Sequence, residues 1–382
     1  MHILVDASNI RKGGGVTHLQ EVLRASDFEK YGVERVTVWA PEETLARIGA
    51  IPRVVRRSHS LINQGRMQGM IFRRTCLDRL IDSDTDLLWA PGGTYLGNFR
   101  PYVTMLRNFL PFEASERDRF KYSVDWARLL YLRYAQAKTF RAANGIIHIS
   151  QKACDVLNDQ LDLEQVPQTV IHHGLSTRFL MPPREQRPFE EFTTSRPVRL
   201  LYVSHVNLYK HQDKLIEAVA RVRGNGIPIK LNLVGPVVRL AKRRFDAALA
   251  KFDQHGEWVH CHGEVSYEDV KDFYQESDIC IFMSTCETFG NILLEAMACG
   301  LPILCSNRGA LPEVHGGAAL EVDPEDIDSV AENLELLVRD KALRAKIAAR
   351  AFARAQTFSW KCCSDKTLQF LVELGSQNHS NY

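Results

Sequence analysis

The sequence predicts an α/β protein built from two Rossmann-like domains. Short apolar runs, typical of buried strands, alternate with stretches of helical periodicity along nearly the whole chain. The 382 residues exceed what one hydrophobic core usually serves, and a proline-rich segment of linker composition lies at residues 179–197. We therefore expect a first domain over residues 1–189, a second over residues 190–360, and a C-terminal helix with a loose tail over residues 361–382.

The composition is that of a soluble globular protein, with 45% hydrophobic and 25% charged residues. The chain has no apolar run of about 18 residues that would cross a membrane. Its N-terminus lacks the basic segment and apolar core of a signal peptide, so we expect a cytoplasmic location. The nine cysteines are an odd number and show no metal-ligand spacing. Reduced thiols and no metal site are therefore expected.

Positive charge is concentrated in the first domain. Residues 47–141 hold 17 Lys and Arg against 8 Asp and Glu, a local net charge of +9. Such a region suits an anionic partner, either nucleic acid or an anionic membrane surface. No nucleic-acid-binding module accompanies it, so we expect no nucleic acid. A basic, aromatic-rich helix within residues 117–141 can lie on the cytoplasmic face of the inner membrane, or it can be a core helix with a solvated basic face.

The first domain opens with a strand over residues 1–8, a glycine loop, and a helix. Backbone N–H groups in such a loop, at Gly14 and Gly15, can approach a phosphate. The loop is not a dinucleotide-binding fingerprint, because His18 stands where the third glycine belongs. Further strands of this domain are predicted at residues 35–39, 86–89, 102–106, 145–150 and 170–175.

The second domain repeats the alternation of strands and helices. Residues 200–211 are predicted as a strand and its loop, strands follow at 230–234, 279–283 and 302–305, and the segment 259–265 precedes a helix at 267–276. A further helix is predicted at 213–223. Residues 320–322 and 327–337 complete the sheet, and the last helices run from 341 to about 374. The loop after its first strand carries Lys210, which can supply a point charge to a diphosphate. Without further context this residue would be an exposed loop lysine.

The loop between the strand at 279–283 and the next helix carries two informative carboxylates. The helix N-terminus favours an anion, Glu287 precedes it, and Glu295 lies about 6–7 Å along its axis. A sugar nucleotide suits this arrangement, since carboxylates accept hydrogen bonds from hydroxyls while backbone amides hold the diphosphate. Taken alone, Glu287 would be a helix-start residue and Glu295 part of a solvated helix face.

The sequence Glu287-x7-Glu295, with Phe289-Gly290 between the acids and Ala-x-Ala-x-Gly-x-Pro after them, resembles the signature of retaining GT-B glycosyltransferases of family GT4. The resemblance implies two Rossmann-like domains facing across a cleft, with a C-terminal helix crossing back to the first. Arg107-Asn108-x-x-Pro111-Phe112 is similar to lipopolysaccharide mannosyl- and rhamnosyltransferases. The implied reaction moves mannose or rhamnose, from a GDP-linked donor in particular, to a lipid-linked saccharide in O-antigen synthesis, without a metal or other cofactor.

The resemblance also implies roles for individual residues. Glu287 and Lys210 would be catalytic. The expected donor-binding residues are Gly14, Gly15, His205, Lys210, Phe289, Gly290, Asn291 and Glu295. The expected acceptor-binding residues are Arg107, Asn108 and Ser150. Two positions depart from the family pattern: His205 replaces an arginine, and Arg107-Asn108 replaces a His-Asp pair.

Two alternatives stay open at this point. A sugar-nucleotide epimerase shares the two-domain architecture, but it needs acid–base residues on both sides of the sugar. A non-catalytic sugar-nucleotide-binding scaffold is favoured by the missing arginine and histidine.

Overall fold

The computed structural model describes residues 1–379, without the side chains of Arg66, Asn378 and His379. The chain forms two compact units. The first combines Met1–Arg117, Tyr122–Gly174 and the C-terminal segment from Ser359, and the second combines Asp118–Lys121 and Leu175–Phe358. No helix in the described part of the chain is both long enough and apolar enough to cross a membrane.

A seven-stranded parallel sheet forms the centre of the first unit. Its strands are β1 (His2–Asp6), β2 (Arg35–Trp39), β3 (Val54–Arg57), β4 (Leu87–Ala90), β5 (Tyr102–Leu106), β6 (Gly145–His148) and β7 (Gln168–Val170). They lie in the order β3-β2-β1-β4-β5-β6-β7. The central strands are fully buried, as parallel strands between two helical layers require.

Helices connect these strands and cover both faces of the sheet. They are α1 (Gly14–Ala25), α2 (Glu42–Ile48), α3 (Ser60–Asn63), α4 (Arg66–Thr75), α5 (Ala114–Asp118), α6 (Val124–Arg141) and α7 (Gln151–Asn158). The strand order changes direction between β1 and β4. In open α/β sheets the crevice at such a switch point, beyond the carboxyl ends of the strands, is where ligands bind.

The second unit has a six-stranded parallel sheet. Its strands are β8 (Val198–Val203), β9 (Ile229–Val234), β10 (Val259–Gly263), β11 (Ile279–Phe282), β12 (Ile303–Ser306) and β13 (Leu320–Val322). Their order, β10-β9-β8-β11-β12-β13, places the switch point between β8 and β11. The helices are α8 (Gln212–Gly224), α9 (Arg239–Phe252), α10 (Val270–Glu276), α11 (Asn291–Ala298), α12 (Leu311–His315), α13 (Ile327–Arg339) and α14 (Lys341–Ala355).

The last helix, α15 (Trp360–His379), returns to the first unit as predicted. Its Ser364 hydroxyl lies 2.8 Å from the hydroxyl of Ser26, at the end of α1. Within the segment 361–382 we expect the loose tail to begin at residue 376. This expectation is wrong for residues 376–379, which continue the helix. Residues 380–382, which the same expectation covered, lie outside the described residues.

The proline-rich segment packs against the second unit over much of its length. Phe179 is fully buried, with its ring centroid 6.0 Å from that of Tyr274. The Met181 amide donates to the Ala298 carbonyl at 2.9 Å. The chain therefore passes from one unit to the other at Gly174, earlier than the boundary expected near residue 190.

Candidate functional site

Three loops of the second unit meet at the carboxyl edge of its sheet. Strand β11 pairs in parallel with β8 on one side and with β12 on the other. The loops that follow these strands consequently emerge side by side. Lys210 lies in the loop after β8, Glu287 in the loop after β11, and Gly309 in the loop after β12.

Backbone contacts fix the loop that carries Glu287. The Thr285 amide donates to the Tyr209 carbonyl at 2.9 Å, and the Ala310 amide donates to the Glu287 carbonyl at 3.0 Å. Gly309 has φ +63°, and a β-carbon there would lie 2.9 Å from the Glu287 nitrogen. A glycine is needed at this position both for its backbone conformation and for the close approach.

The side chains of Lys210 and Glu287 form a direct ion pair. The two side chains are only 6% and 18% exposed, so the charges are largely withdrawn from water. The Lys210 ammonium also lies 5.1 Å from the centre of the Phe282 ring and 5.3 Å from that of Tyr209. The structure thus brings the two predicted catalytic residues together.

His205 is in the same loop as Lys210 and is uncharged near neutral pH. Burial, with a further contribution from the Lys210 charge, lowers the pKa of His205 to about 4. Its Nε2 lies 3.3 Å from the Tyr209 hydroxyl. The arginine that the family resemblance led us to expect here is therefore replaced by a neutral side chain.

The loop after β11 ends at Gly290, which has φ +101° and directly precedes α11. The first amides of a helix have no acceptor within the helix, so they can hold an anion. Phe289 is buried, with its ring centroid 5.8 Å from that of Phe358, and Asn291 is the first residue of α11. The predicted diphosphate-binding amides are therefore at a helix start, as expected, while their role stays a prediction.

Glu295 lies on α11 and is only 7% exposed, which excludes the solvated helix face considered above. The Tyr267 hydroxyl donates to its Oε1 at 2.9 Å, and the Tyr274 hydroxyl reaches its Oε2 at 3.5 Å. Burial raises the pKa of Glu295 to about 7, against the opposing effects of Tyr267 and Arg178. Its proposed contact with a ribose stays a prediction.

The aromatic and basic side chains around Glu295 were not predicted as site residues. The Arg178 guanidinium stacks on the Tyr267 ring, 3.5 Å from its centre. Of these side chains, only Tyr267 was placed from the sequence, at the start of the helix predicted at 267–276. No local pattern links Tyr267 to Arg178 or to Glu295.

The first unit brings the glycine loop to one of the predicted acceptor-binding residues. A β-carbon on Gly15 would lie 2.8 Å from Nη1 of Arg107, so the guanidinium rests on the start of α1. Gly14 is the first residue of α1 and is exposed. Asn108 is exposed, and its Oδ1 accepts from the Leu110 amide at 3.0 Å. The ligand roles of these residues stay predictions.

Ser150 has a structural position. Its hydroxyl accepts from the Ala153 amide at 3.1 Å and caps the N-terminus of α7. The side chain is fully buried. The capping hydrogen bond by itself explains why a serine occupies this position. It therefore gives no support to the predicted acceptor contact.

Among the described residues, one group could hold a metal ion: His2, Asp82 and Asp84, with ligand atoms within 4.8 Å of one another. Asp84 already pairs with the Arg35 guanidinium. This group belongs to the first unit and contains none of the predicted site residues.

Comparison with known proteins gives a family match. Residues 183–354, within the second unit, match the family model described as "Glycosyl transferases group 1". The chain is also similar to O-antigen chain mannosyltransferase B from Escherichia coli, with 38% identity over 111 residues. That alignment covers 29% of this chain and 29% of the relative, so the chain aligns with less than a third of that protein's length.

Solved structures support the GT-B fold over the whole chain. Sucrose-phosphate synthase from Thermosynechococcus elongatus superposes with a TM-score of 0.75 at 16% identity, covering 99% of this chain and 100% of that one. Anabaena HepE in complex with UDP-glucose superposes with a TM-score of 0.66 at 19% identity, covering 100% of both chains.

Proposed function

Because residues 183–354 match the family model of the group 1 glycosyltransferases, we propose that the chain transfers a hexose from a nucleotide diphosphate sugar to an acceptor hydroxyl, with retention of anomeric configuration. The observation that carries this proposal is the buried ion pair of Lys210 with Glu287 at the carboxyl edge of the second sheet. A cation and a carboxylate beside a helix start match the two halves of a sugar nucleotide, its diphosphate and its hydroxyls.

In the proposed reaction the bond between the anomeric carbon and the phosphate oxygen breaks, and the nucleotide diphosphate leaves with the electron pair. The acceptor oxygen bonds to the anomeric carbon on the same face of the sugar, and its proton passes to the departing phosphate. Lys210 and the amides of Phe289, Gly290 and Asn291 stabilise the charge that develops on the leaving group. Glu295 accepts hydrogen bonds from the ribose.

The ion pair of Lys210 with Glu287 suggests how the site binds the diphosphate and the sugar of the donor. The Glu287 carboxylate neutralises Lys210, so a buried charge is not left alone. A bound diphosphate would take over this neutralisation and leave the carboxylate to accept hydrogen bonds from sugar hydroxyls. Since Lys210 provides the cation, we propose that the reaction needs no metal ion.

We propose mannose or rhamnose, carried by GDP, as the transferred sugar. The similarity to an O-antigen chain mannosyltransferase supports a hexose of this type. The proposed acceptor is a lipid-linked saccharide. Exposed apolar side chains on α4 and α6 support binding at a membrane surface, because Met67 and Tyr134 are each 69% exposed within residues 47–141, the stretch with a net charge of +9.

The test is incubation of the full chain with GDP-mannose, GDP-rhamnose, UDP-glucose and a lipid-linked acceptor, with and without EDTA. We expect acceptor-dependent release of GDP, an unchanged rate in EDTA, and an α-linked product by NMR if the donor is α-linked. Free epimerised sugar nucleotide without a glycoside would instead indicate an epimerase. Donor binding without any turnover would indicate a scaffold.

A further inference from the structure

The first unit contains a cavity of about 350 Å³ at the carboxyl edge of its sheet. Loops after β1, β4 and β5 form its floor, and helices α4 and α6 form its walls. Its polar lining consists of Ser8, Asn9, Arg11, Arg73, Arg74, Thr94, Arg107, Asn108, Arg128, Tyr131 and Gln136. The volume is within the range of about 300–1,000 Å³ that small-molecule sites occupy.

The cavity lining is strongly positive. Five arginines contribute to it, and no aspartate or glutamate does among the described residues. Acids outside the lining interact with some of these arginines, since Asp125 pairs with Arg128 at 3.4 Å and Asp6 interacts with Arg73. A concave surface with this excess of one charge attracts an anion.

Neutral groups hold several of the guanidinium groups in place. Arg11 donates to the Gly65 carbonyl at 2.8 Å and also to the Ile62 carbonyl, and Arg73 reaches the Ser8 hydroxyl at 3.5 Å. Such partners orient a guanidinium without cancelling its charge. The Nε of Arg107 is buried and has no hydrogen-bond partner. The guanidinium groups of Arg11 and Arg73 are therefore positioned before any ligand arrives.

Two side chains of the cavity lining carry buried acceptor atoms that lack donors. Gln136 is only 4% exposed, and its Oε1 has no hydrogen-bond partner. The Oδ1 of Asn9 is buried and is likewise without a partner, while the Nδ2 of the same amide donates to the Gly92 carbonyl at 3.0 Å. Buried polar atoms are usually satisfied, so these two oxygens indicate a ligand with hydroxyl donors.

We propose that this cavity binds a phosphorylated saccharide, with the arginines around the phosphate and the amide oxygens of Asn9 and Gln136 accepting from sugar hydroxyls. A phosphate alone would leave the amide oxygens unsatisfied, and a neutral sugar would leave the guanidinium charge uncompensated. The inference rests on the proposed function and specifies its acceptor as a saccharide that carries a phosphate, either free or esterified to a lipid.

The test is calorimetric titration of the full chain with glucose, inorganic phosphate, glucose 1-phosphate and farnesyl diphosphate. We expect glucose 1-phosphate to bind at least about tenfold more tightly than glucose or inorganic phosphate. Competition by farnesyl diphosphate would assign the phosphate to a lipid carrier, and its absence would assign it to a free sugar phosphate. Equal affinities for glucose and glucose 1-phosphate would overturn the proposal.

Exposed arginines provide matched variants. Arg74→Gln with Arg128→Gln removes two cavity charges at exposed positions, and we expect glucose 1-phosphate to bind at least about tenfold more weakly. Arg141→Gln removes an exposed charge from α6 outside the cavity and should leave this affinity unchanged. Equal losses in the double variant and in Arg141→Gln would contradict a specific site.

Titration with GDP separates this inference from the proposed function. We expect Lys210→Met to weaken GDP binding and the arginine double variant to leave it unchanged. Normal GDP binding combined with no preference for the phosphorylated sugar would overturn only the inference drawn from the cavity. Loss of GDP binding in the arginine variant, with none in Lys210→Met, would oppose the proposed donor site.

Discussion

The Lys210 ammonium contacts the Glu287 carboxylate, although the two residues are 77 positions apart in the chain. Parallel pairing of β8 with β11 causes this contact, because it places the two following loops at neighbouring points of one sheet edge. Both side chains are largely buried. Each charge is therefore tolerated only in the presence of the other, or of a ligand that replaces it.

Removal of one member of this pair should destabilise the protein. We expect Lys210→Met to lower the free energy of unfolding by about 3 kcal/mol, since it leaves the Glu287 carboxylate buried without its cation. It should also reduce transferase activity by about 100-fold or more. Urea unfolding and nucleotide release measure the two effects separately.

The double variant Lys210→Met, Glu287→Gln is the control for charge burial. It removes both charges, so it should be more stable than Lys210→Met while remaining inactive. A double variant as unstable as the sum of the two single variants would show that the pair contributes nothing through mutual neutralisation.

The pH dependence of stability should include a contribution from Glu295. Its folded pKa of about 7 is above the ordinary value of 4.5, so the folded state holds this proton between pH 4.5 and pH 7 while the unfolded state releases it. Stability from this group is therefore fully present below pH 4.5 and falls as the pH rises through 7, by on the order of 3 kcal/mol.

Glu295→Gln keeps the side-chain shape and removes the titration. We expect the free energy of unfolding of the variant to increase relative to that of the wild type as the pH rises from 5 to 8. Urea unfolding of both proteins at each pH measures this difference. Parallel stability curves for the two proteins would show that the carboxyl group keeps an ordinary pKa in the folded state.

His205 should behave as a neutral residue. With its pKa lowered to about 4, it takes up no proton between pH 6 and pH 8, so it supplies no charge to a diphosphate. We expect His205→Asn to keep activity within about threefold, in contrast to Lys210→Met. An NMR titration of the His205 ring that shows protonation near pH 6.5 would contradict this assignment.

Much of the fold could be predicted because its signals are local. The strands at Arg35–Trp39, Tyr102–Leu106 and Leu320–Val322 have the predicted bounds, since each is a short apolar run next to turn residues. Strand β3 was missed because two of its four residues are arginines. Helix α4 was also missed: Met67, Met70 and Ile71 have helical spacing, but Gly65 supplies no side-chain cap that would mark the start of the helix.

The candidate site was predicted less completely because its contacts are between distant residues. Glu287 and Lys210 could be named as candidates, since each follows a strand and precedes a helix in a recognisable pattern. No local pattern indicates that Tyr267 and Tyr274 would reach Glu295, across 28 and 21 residues. The arginine cavity was visible only as an excess of charge, because four separate segments contribute its guanidinium groups.

Gly15 provides a test of Arg107 that does not alter the arginine itself. A β-carbon at Gly15 would lie 2.8 Å from Nη1 and 2.9 Å from Nη2 of Arg107, so Gly15→Ala should push the guanidinium out of position. Because a flexible side-chain end yields at little cost, and alanine favours a helix, stability should change by less than about 1 kcal/mol. The KM for the acceptor should rise about tenfold, and by more than the KM for the donor, to which the Gly15 amide is itself an expected contact.

The matched control is Gly224→Ala at the end of α8, where an added β-carbon meets no atom within 4 Å. This variant should match the wild type in both KM values. Steady-state kinetics with either substrate varied, together with thermal melting, distinguishes the effects. An unchanged acceptor KM in a well-folded Gly15→Ala protein would show that the Arg107 guanidinium does not bind the acceptor. Loss of donor affinity alone would assign the start of α1, rather than an acceptor contact, to the nucleotide sugar.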